Sequence, residues 1–259
     1  MSVAVETSEL GVTFSGGLLR RVAPFHALRS VSISIAAGTT LGLVGESGSG
    51  KTTLGRVLLG LQRPSTGHAR IGAIDPAGLT PAGRRAFSRQ VQCVFQDSNA
   101  AFDPRMTLGA SVREGLDIHR IDTPDIREDR VRAMFERVGL TRAMADRYPH
   151  EVSGGQRQRA NIARSLILDP AVLIADEPVS ALDVSVQAQI LDLLADLRDE
   201  TGLTMLLITH DLGVVREMAD TVAVMSDGRI VECGATADIF TRPDHPHTKA
   251  LLNAAPEWS

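Results

Sequence analysis

The segment Gly45–Thr52 reads GESGSGKT and fits the pattern G-x-x-x-x-G-K-[ST]. Glycines at such spacing let backbone N–H groups wrap phosphate oxygens at the start of a helix. Lys51 would neutralise the β/γ-phosphates of a nucleotide, and Thr52 would place its hydroxyl on Mg²⁺. The chain holds only two lysines, Lys51 and Lys249, and its other basic side chains of that length are arginines. A compact ammonium fits inside a loop that a guanidinium would crowd. Gly45, Glu46, Ser47, Gly48, Ser49, Gly50, Lys51, Thr52 and Thr53 therefore form the expected phosphate cradle. The stretch AVLIADEP supplies acidic partners. Asp176 ends an apolar run and can hold Mg²⁺ directly or through water. Glu177 follows as candidate general base for an attacking water. Side chains alternate along a strand, so the adjacent carboxylates can serve different atoms.

Further polar residues sit where apolar runs stop. Gln96 ends QCVFQ, His210 ends TMLLITH, and Asp183 lies in SALD. Gln96 joins Thr52 and Asp176 as a candidate Mg²⁺ residue, and Gln96 and His210 join Glu177 as candidate catalytic residues. A second polar turn, EVSGGQ, opens onto another helical pattern. Its Ser153, Gly154, Gly155 and Gln156 offer a second anion site at a helix N-terminus. One bound nucleotide does not need two such loops.

The elements that must position these groups alternate. TTLGLVG is an apolar run that reads as a buried strand feeding a turn, and TTLGRVLLGL continues with helical periodicity towards Pro64. RQVQCVFQ, AVLIAD and TMLLITH read as strands, QRQRANIARSLIL and SVQAQILDLLADLRDET as helices. DTVAVMSDGRIVECG has the form of a hairpin turning at Asp227-Gly228. Strands alternating with helices predict a largely parallel α/β sheet, whose ligands sit at the carboxyl ends of the strands. Residues 97–147 are charged and helical, with DRVRAMFERVGL the clearest amphipathic piece.

Composition sets the outer bounds. The chain has 259 residues, 43% hydrophobic, enough for one large domain with its own core. A formal charge of −4 carries no nucleic-acid signal. No apolar run approaches the roughly 20 residues that span a bilayer. The opening MSVAVETSEL lacks the basic and apolar regions of a secretory signal. Cys93 and Cys233 lie far apart without metal spacing, as suits a reducing compartment.

GESGSGKT, Gln96, VSGGQ, LIADE, SALD and His210, in that order, resemble the ATPase subunit of an ATP-binding-cassette (ABC) transporter over nearly the whole chain. The resemblance implies a P-loop NTPase (RecA-like) core with a largely parallel sheet, an antiparallel β portion and an inserted α-helical subdomain. It implies one ATP-binding domain over 3–254, with core 3–96 and 153–235, helical subdomain about 97–152 and C-terminal tail 236–259. It also accounts for the second loop. In that family two cassettes pair head to tail, and the signature loop of one, here Ser153–Gln156, closes over the γ-phosphate held by the other, near the D-loop residue Asp183. Val152 stands where Leu is commoner and keeps an apolar side chain. An aromatic near the N-terminus is implied to stack on adenine; Phe14 in GVTFSGG fits the position best, and Phe25 is the competitor.

Finer stretches, VFQDSNAAFDPR, YPHEVSGGQRQR, DEPVSALDVSVQAQILDLL and RPDHPHTKALLNAAP, resemble the peptide and nickel importer branch. The implied function is ATP hydrolysis, with Mg²⁺, that energises uptake of a di- or oligopeptide or a nickel chelate. The implied partners are a second ABC ATPase subunit, two transmembrane permease subunits and an extracytoplasmic solute-binding protein, with no nucleic acid. The implied location is the cytoplasmic face of the bacterial inner membrane, held peripherally. Many relatives continue into a longer cysteine-bearing tail; ending at Ser259, this chain is expected to lack a tail-bound metal cluster. The alternatives are an exporter cassette, more often fused to its spanning domain, and a soluble ABC ATPase acting on DNA or ribosomes, which usually carries coiled coils or two cassettes in one chain. A guanine-reading NKxD motif, which a GTPase would show, is not found.

Overall fold

In the computed structural model the described residues are 2–15, 23–96, 100–180 and 182–254. Two long strands open the chain, β1 (Val3–Phe14) and β2 (Phe25–Ala36). In β2, Val31, Ile33 and Ile35 are buried and alternate with serines that face solvent, the period of a sheet wet on one side. Strand β3 (Thr40–Val44) is buried at every position and leads into the phosphate loop and α1 (Lys51–Leu58). Next come β4 (Thr66–Ile71), α2 (Pro81–Gln90) and β5 (Val91–Val94). A helical stretch holds α3 (Leu108–His119), α4 (Pro124–Arg137) and α5 (Gly154–Leu166). The chain then alternates through β6 (Val172–Asp176), α6 (Val184–Thr201), β7 (Thr204–Ile208), α7 (Leu212–Met218) and β8 (Thr221–Ser226). It closes with β9 (Arg229–Ala235), α8 (Thr236–Thr241) and α9 (Pro246–Ala254).

The strands form two sheets, a three-stranded one ordered β2-β1-β4 and a six-stranded one ordered β5-β6-β7-β3-β8-β9. The first is antiparallel throughout. In the second, β5 to β8 run parallel, and only β9 is antiparallel, paired to β8. Parallel strands covered on both faces read as continuous apolar runs, as TLGLV and TMLLI do. One core lies between the two sheets around Leu10, Ile35, Leu43, Leu54 and Ile208. A second joins α3, α4 and α5 to α6 and the opposite face of the main sheet. Gly42 in β3 lets α7 come close, since a Cβ there would lie 2.6 Å from Val215 and 3.1 Å from Ala219.

The β8–β9 connection is a two-residue turn in which Asp227 and Gly228 both have positive φ, 47° and 77°, as the Asp-Gly pair predicts. Its effect reaches the phosphate loop. The Gly228 N–H donates to the Ser49 carbonyl at 2.9 Å, and the Arg29 N–H donates to the Gly228 carbonyl at 2.7 Å. The hairpin and β2 thus buttress the loop from behind.

Candidate nucleotide site

The carboxyl ends of β3, β5, β6 and β7 lie along one edge of the parallel sheet. A cleft of about 620 Å³ opens there, lined by Phe25, Ala27, Ser47, Gly48, Gly50, Lys51, Thr52, Thr53, Gln96, Asp176, Glu177 and His210. That volume suits a ligand of nucleotide size.

The loop's backbone needs its glycines. Gly45, Gly48 and Gly50 have φ of 153°, 82° and 112°. A Cβ at Gly45 would lie 2.1 Å from the Met225 carbonyl oxygen, and one at Gly50 2.6 Å from the Ala27 oxygen. A Cβ at Gly48 meets nothing within 4 Å, so that glycine answers to φ alone and leaves the concave face open. Lys51 is 8% exposed. Its Nζ donates to the Gly45 carbonyl at 2.6 Å and the Glu46 carbonyl at 2.8 Å. An ammonium has three N–H groups, so one remains for a phosphate oxygen. Burial lowers the Lys51 pKa, while the charges of Glu177 and Asp176 oppose that shift.

Asp176 closes β6 and accepts a hydrogen bond from the Thr52 hydroxyl. Burial pushes its carboxyl above the usual range, the Thr52 bond pulls it back, and neighbouring Glu177 pushes it up again. A half-buried carboxylate beside a hydroxyl and a second carboxylate fits a divalent cation. Gln96, exposed on the same cleft, can complete such a set.

Glu177 sits in the left-handed region at φ 53°, a conformation that costs a non-glycine residue about 1–3 kcal/mol. The strain is held in place. Its N–H donates to the Ile208 carbonyl at 2.8 Å, continuing the β6–β7 ladder one residue past Asp176. The His210 Nδ1–H donates to Glu177 Oε1 at 2.7 Å, which fixes the imidazole tautomer, because a carboxylate only accepts. The carboxylate is thus anchored through Oε1, and the buried Oε2 is left without a protein partner.

Of the two candidate aromatics, Phe25 lines the cleft and Phe14 is not among its lining residues. The two residues are direct cross-strand partners at the ends of β1 and β2. Sequence distance from the phosphate loop cannot separate such neighbours. Ala27 and Gly228 shape the back of the loop, and nothing in the sequence marks Ala27 for that place. Only the Asp-Gly turn signal pointed near them.

The loop Ser153–Gln156 is not part of this cleft. Ser153 caps α5: its hydroxyl accepts from the Gln156 N–H at 3.2 Å, and the Gln156 Oε1 accepts from the Ser153 N–H at 3.0 Å. The Gly154 and Gly155 N–H groups, in the first turn of α5, have no partner of this kind. A Cβ at Gly155 would lie 2.6 Å from Val186, so this glycine lets α5 and α6 meet. Asp183 is exposed and caps α6, accepting from the Val186 N–H at 3.0 Å.

A family model described as ABC transporter matches residues 28–180. The dipeptide transport ATP-binding protein DppF of Haemophilus influenzae is 47% identical over 94% of this chain and 74% of its own length. The oligopeptide transport ATP-binding protein AppF of Bacillus subtilis is 44% identical over 93% of this chain and 74% of its own. The ATP-binding cassette MJ0796, solved as a dimer in a post-hydrolysis state bound to ADP and Pi, matches with a TM-score of 0.80 at 28% identity, over 90% of this chain and 98% of that one. A mixed sheet with a phosphate loop at its carboxyl edge defines a nucleotide-hydrolysing cassette. The chain belongs to the ABC transporter family, whose ATP-binding subunits hydrolyse ATP to drive transport.

Proposed function

We propose that this chain energises uptake of short peptides through partner permease subunits, as one of two cassettes that sandwich ATP. The observation that carries the catalytic part is Glu177, strained at φ 53°, anchored by His210 and set beside Lys51 and Asp176 in one cleft. ATP lies with its phosphates against the N–H groups of Gly45–Thr52 and the ammonium of Lys51. Thr52, Asp176 and Gln96 would hold Mg²⁺, whose charge stabilises the phosphate oxygens as they become more negative. Glu177 orients the attacking water and accepts its proton, and His210 keeps the carboxylate aimed. Phe25 stacks on the adenine. The expected result of Phe25→Ala is ATP affinity weaker by about three- to tenfold, with a smaller change for Phe14→Ala, read by nucleotide titration. An effect confined to Phe14→Ala would reverse that assignment.

The donors at Gly154 and Gly155 lie outside the chain's own cleft, which supports their closing on the ATP of a second cassette, with Asp183 at the same face. The second cassette is a homologous ATPase or another copy of this chain. The helical subdomain, about 97–152, and the core, 3–96 and 153–235, meet at a groove exposing Leu61, Phe95 and Ile118. That groove suits a cytoplasmic loop of a permease and would hold the subunit at the inner face of the membrane. No helix among the described residues is long and apolar enough to cross a membrane itself.

The peptide assignment draws on the names of the relatives, dipeptide and oligopeptide transport proteins. A strain lacking this chain should lose uptake of labelled di- or oligopeptides. Loss of trace nickel uptake with peptide uptake intact would move the cargo to the nickel chelate. Loss of sugar uptake alone would overturn the branch.

A further inference from the structure

Helix α5 carries a polar stripe on a buried face. Gln158, Asn161 and Ser165 are spaced three and then four residues apart, so they share one side of the helix. They are 2%, 2% and 3% exposed. Apolar side chains would fill such a face without the cost of burying amides. Buried polar groups need partners, and these partners follow a pattern. The Gln158 Nε2–H donates to the Pro178 carbonyl at 2.7 Å. The Asn161 amide lies 3.5 Å from both Gln158 Oε1 and the Phe95 carbonyl. The Ser165 hydroxyl donates to the Cys93 carbonyl at 2.8 Å. Every partner off the helix therefore belongs to one of two segments. One bears Glu177, directly before Pro178, and the other bears Gln96, directly after Phe95.

We propose that Gln158 is a positioning residue for hydrolysis, which fixes the Glu177 carboxylate by holding the Pro178 carbonyl. The inference rests on the reading of Glu177 as the group that activates water. Glu177 keeps a left-handed backbone that is stable only if its surroundings enforce it. On its N-terminal side the β7 ladder does so through the Ile208 carbonyl. On its C-terminal side Pro178 has no N–H to offer; the turn is closed by the Ser180 N–H and hydroxyl, which donate to the Glu177 carbonyl at 3.4 and 3.2 Å, and is tied to α5 through the Pro178 carbonyl. The Gln158 amide is the side chain that takes that carbonyl, in a site closed to solvent. Without it the Glu177–Ser180 turn relaxes and the carboxylate drifts from its water. Gln158 also lies on the second turn of the helix that begins at Ser153, so a rigid shift of α5 carries the Pro178 carbonyl with it.

The test uses Gln158→Met and Gln158→Glu in the full chain, in the assembled cassette pair, with Glu177→Gln in parallel. Methionine keeps the length and loses the donor. The expected result for Gln158→Met is kcat per folded molecule lower by about tenfold to a hundredfold, with KM for ATP within about twofold of the parent, because the phosphate cradle is untouched. An ionised glutamate cannot donate, but a protonated one can, and burial raises its pKa. The activity of Gln158→Glu relative to the parent should therefore rise as pH falls, whereas that of Gln158→Met stays low at every pH. Melting curves give the folded fraction for each variant. Parental kcat per folded molecule in Gln158→Met, or losses in both variants that only follow the folded fraction, would overturn the role of Gln158. If Glu177→Gln itself turns over ATP at the parental rate, the reading of Glu177 fails instead.

Discussion

Glu177→Gln is expected to stop hydrolysis while leaving ATP bound, and so to trap a dimer. Gln preserves shape and can still pair with His210, but it cannot accept a proton from water. Removing a positioned general base costs about 10²- to 10⁴-fold in rate. Binding persists because the phosphate contacts come from Gly45–Thr52, which the substitution leaves unchanged. The trapped state follows from where the free donors lie. Gly154 and Gly155 do not line the chain's own cleft, so in the proposed sandwich ATP is part of the interface. Any ligand that binds only the associated state favours it by mass action. Size-exclusion with light scattering, with ATP and then ADP, reads the outcome for this chain alone and mixed with a homologous cassette. A Glu177→Gln protein that stays monomeric with saturating ATP in both mixtures refutes the sandwich. Parental phosphate release refutes the base.

What the sequence disclosed follows from what is local. Gly45–Thr52 is contiguous, and its φ values and turn geometry are dictated by residues that neighbour one another in the chain. Gln96, Asp176 and His210 come from distant segments, yet each ends an apolar run. Parallel strands put all such ends on one edge, and the cleft gathers the three of them. Other features depend on pairing that no single segment carries. Phe14 and Phe25 are opposite one another only because β1 and β2 pair in a particular register, and of the two Phe25 lines the cleft. The alternation of Val31, Ile33 and Ile35 with serines is a strand signal that a search for buried apolar runs passes over. The left-handed backbone of Glu177 could not be anticipated either, since glutamate avoids it unless the surrounding structure imposes it. For the same reason the Gln158–Pro178 contact, between residues 20 apart in sequence, is visible only once α5 is packed on the sheet.

Lys51→Ala should lose binding and chemistry together. Lys51 is nearly buried, with two of its three N–H groups on the Gly45 and Glu46 carbonyls. Burial lowers its pKa, and the charges of Glu177 and Asp176 oppose that shift. A charge-assisted hydrogen bond contributes about 1.5–3 kcal/mol, so its loss should weaken ATP binding by roughly tenfold to a hundredfold. The loss is larger in the transition state, where the transferred phosphoryl group and its leaving oxygen carry more charge, and hydrolysis should fall below detection. Lys51→Met keeps much of the side-chain volume and should behave alike, which assigns the effect to the charge rather than to a cavity. Lys51→Arg should not restore activity, because the planar fork needs more room than the loop closed over Nζ provides. The dimer gives the sharpest contrast. At an ATP concentration that saturates the parent, Glu177→Gln associates, while Lys51→Ala, unable to hold the nucleotide that joins the two chains, remains monomeric. Nucleotide titration, phosphate release and light scattering on the same samples check all three expectations. Parental affinity and turnover in Lys51→Ala would remove the phosphate-loop assignment, and with it the reason to place ATP in the cleft.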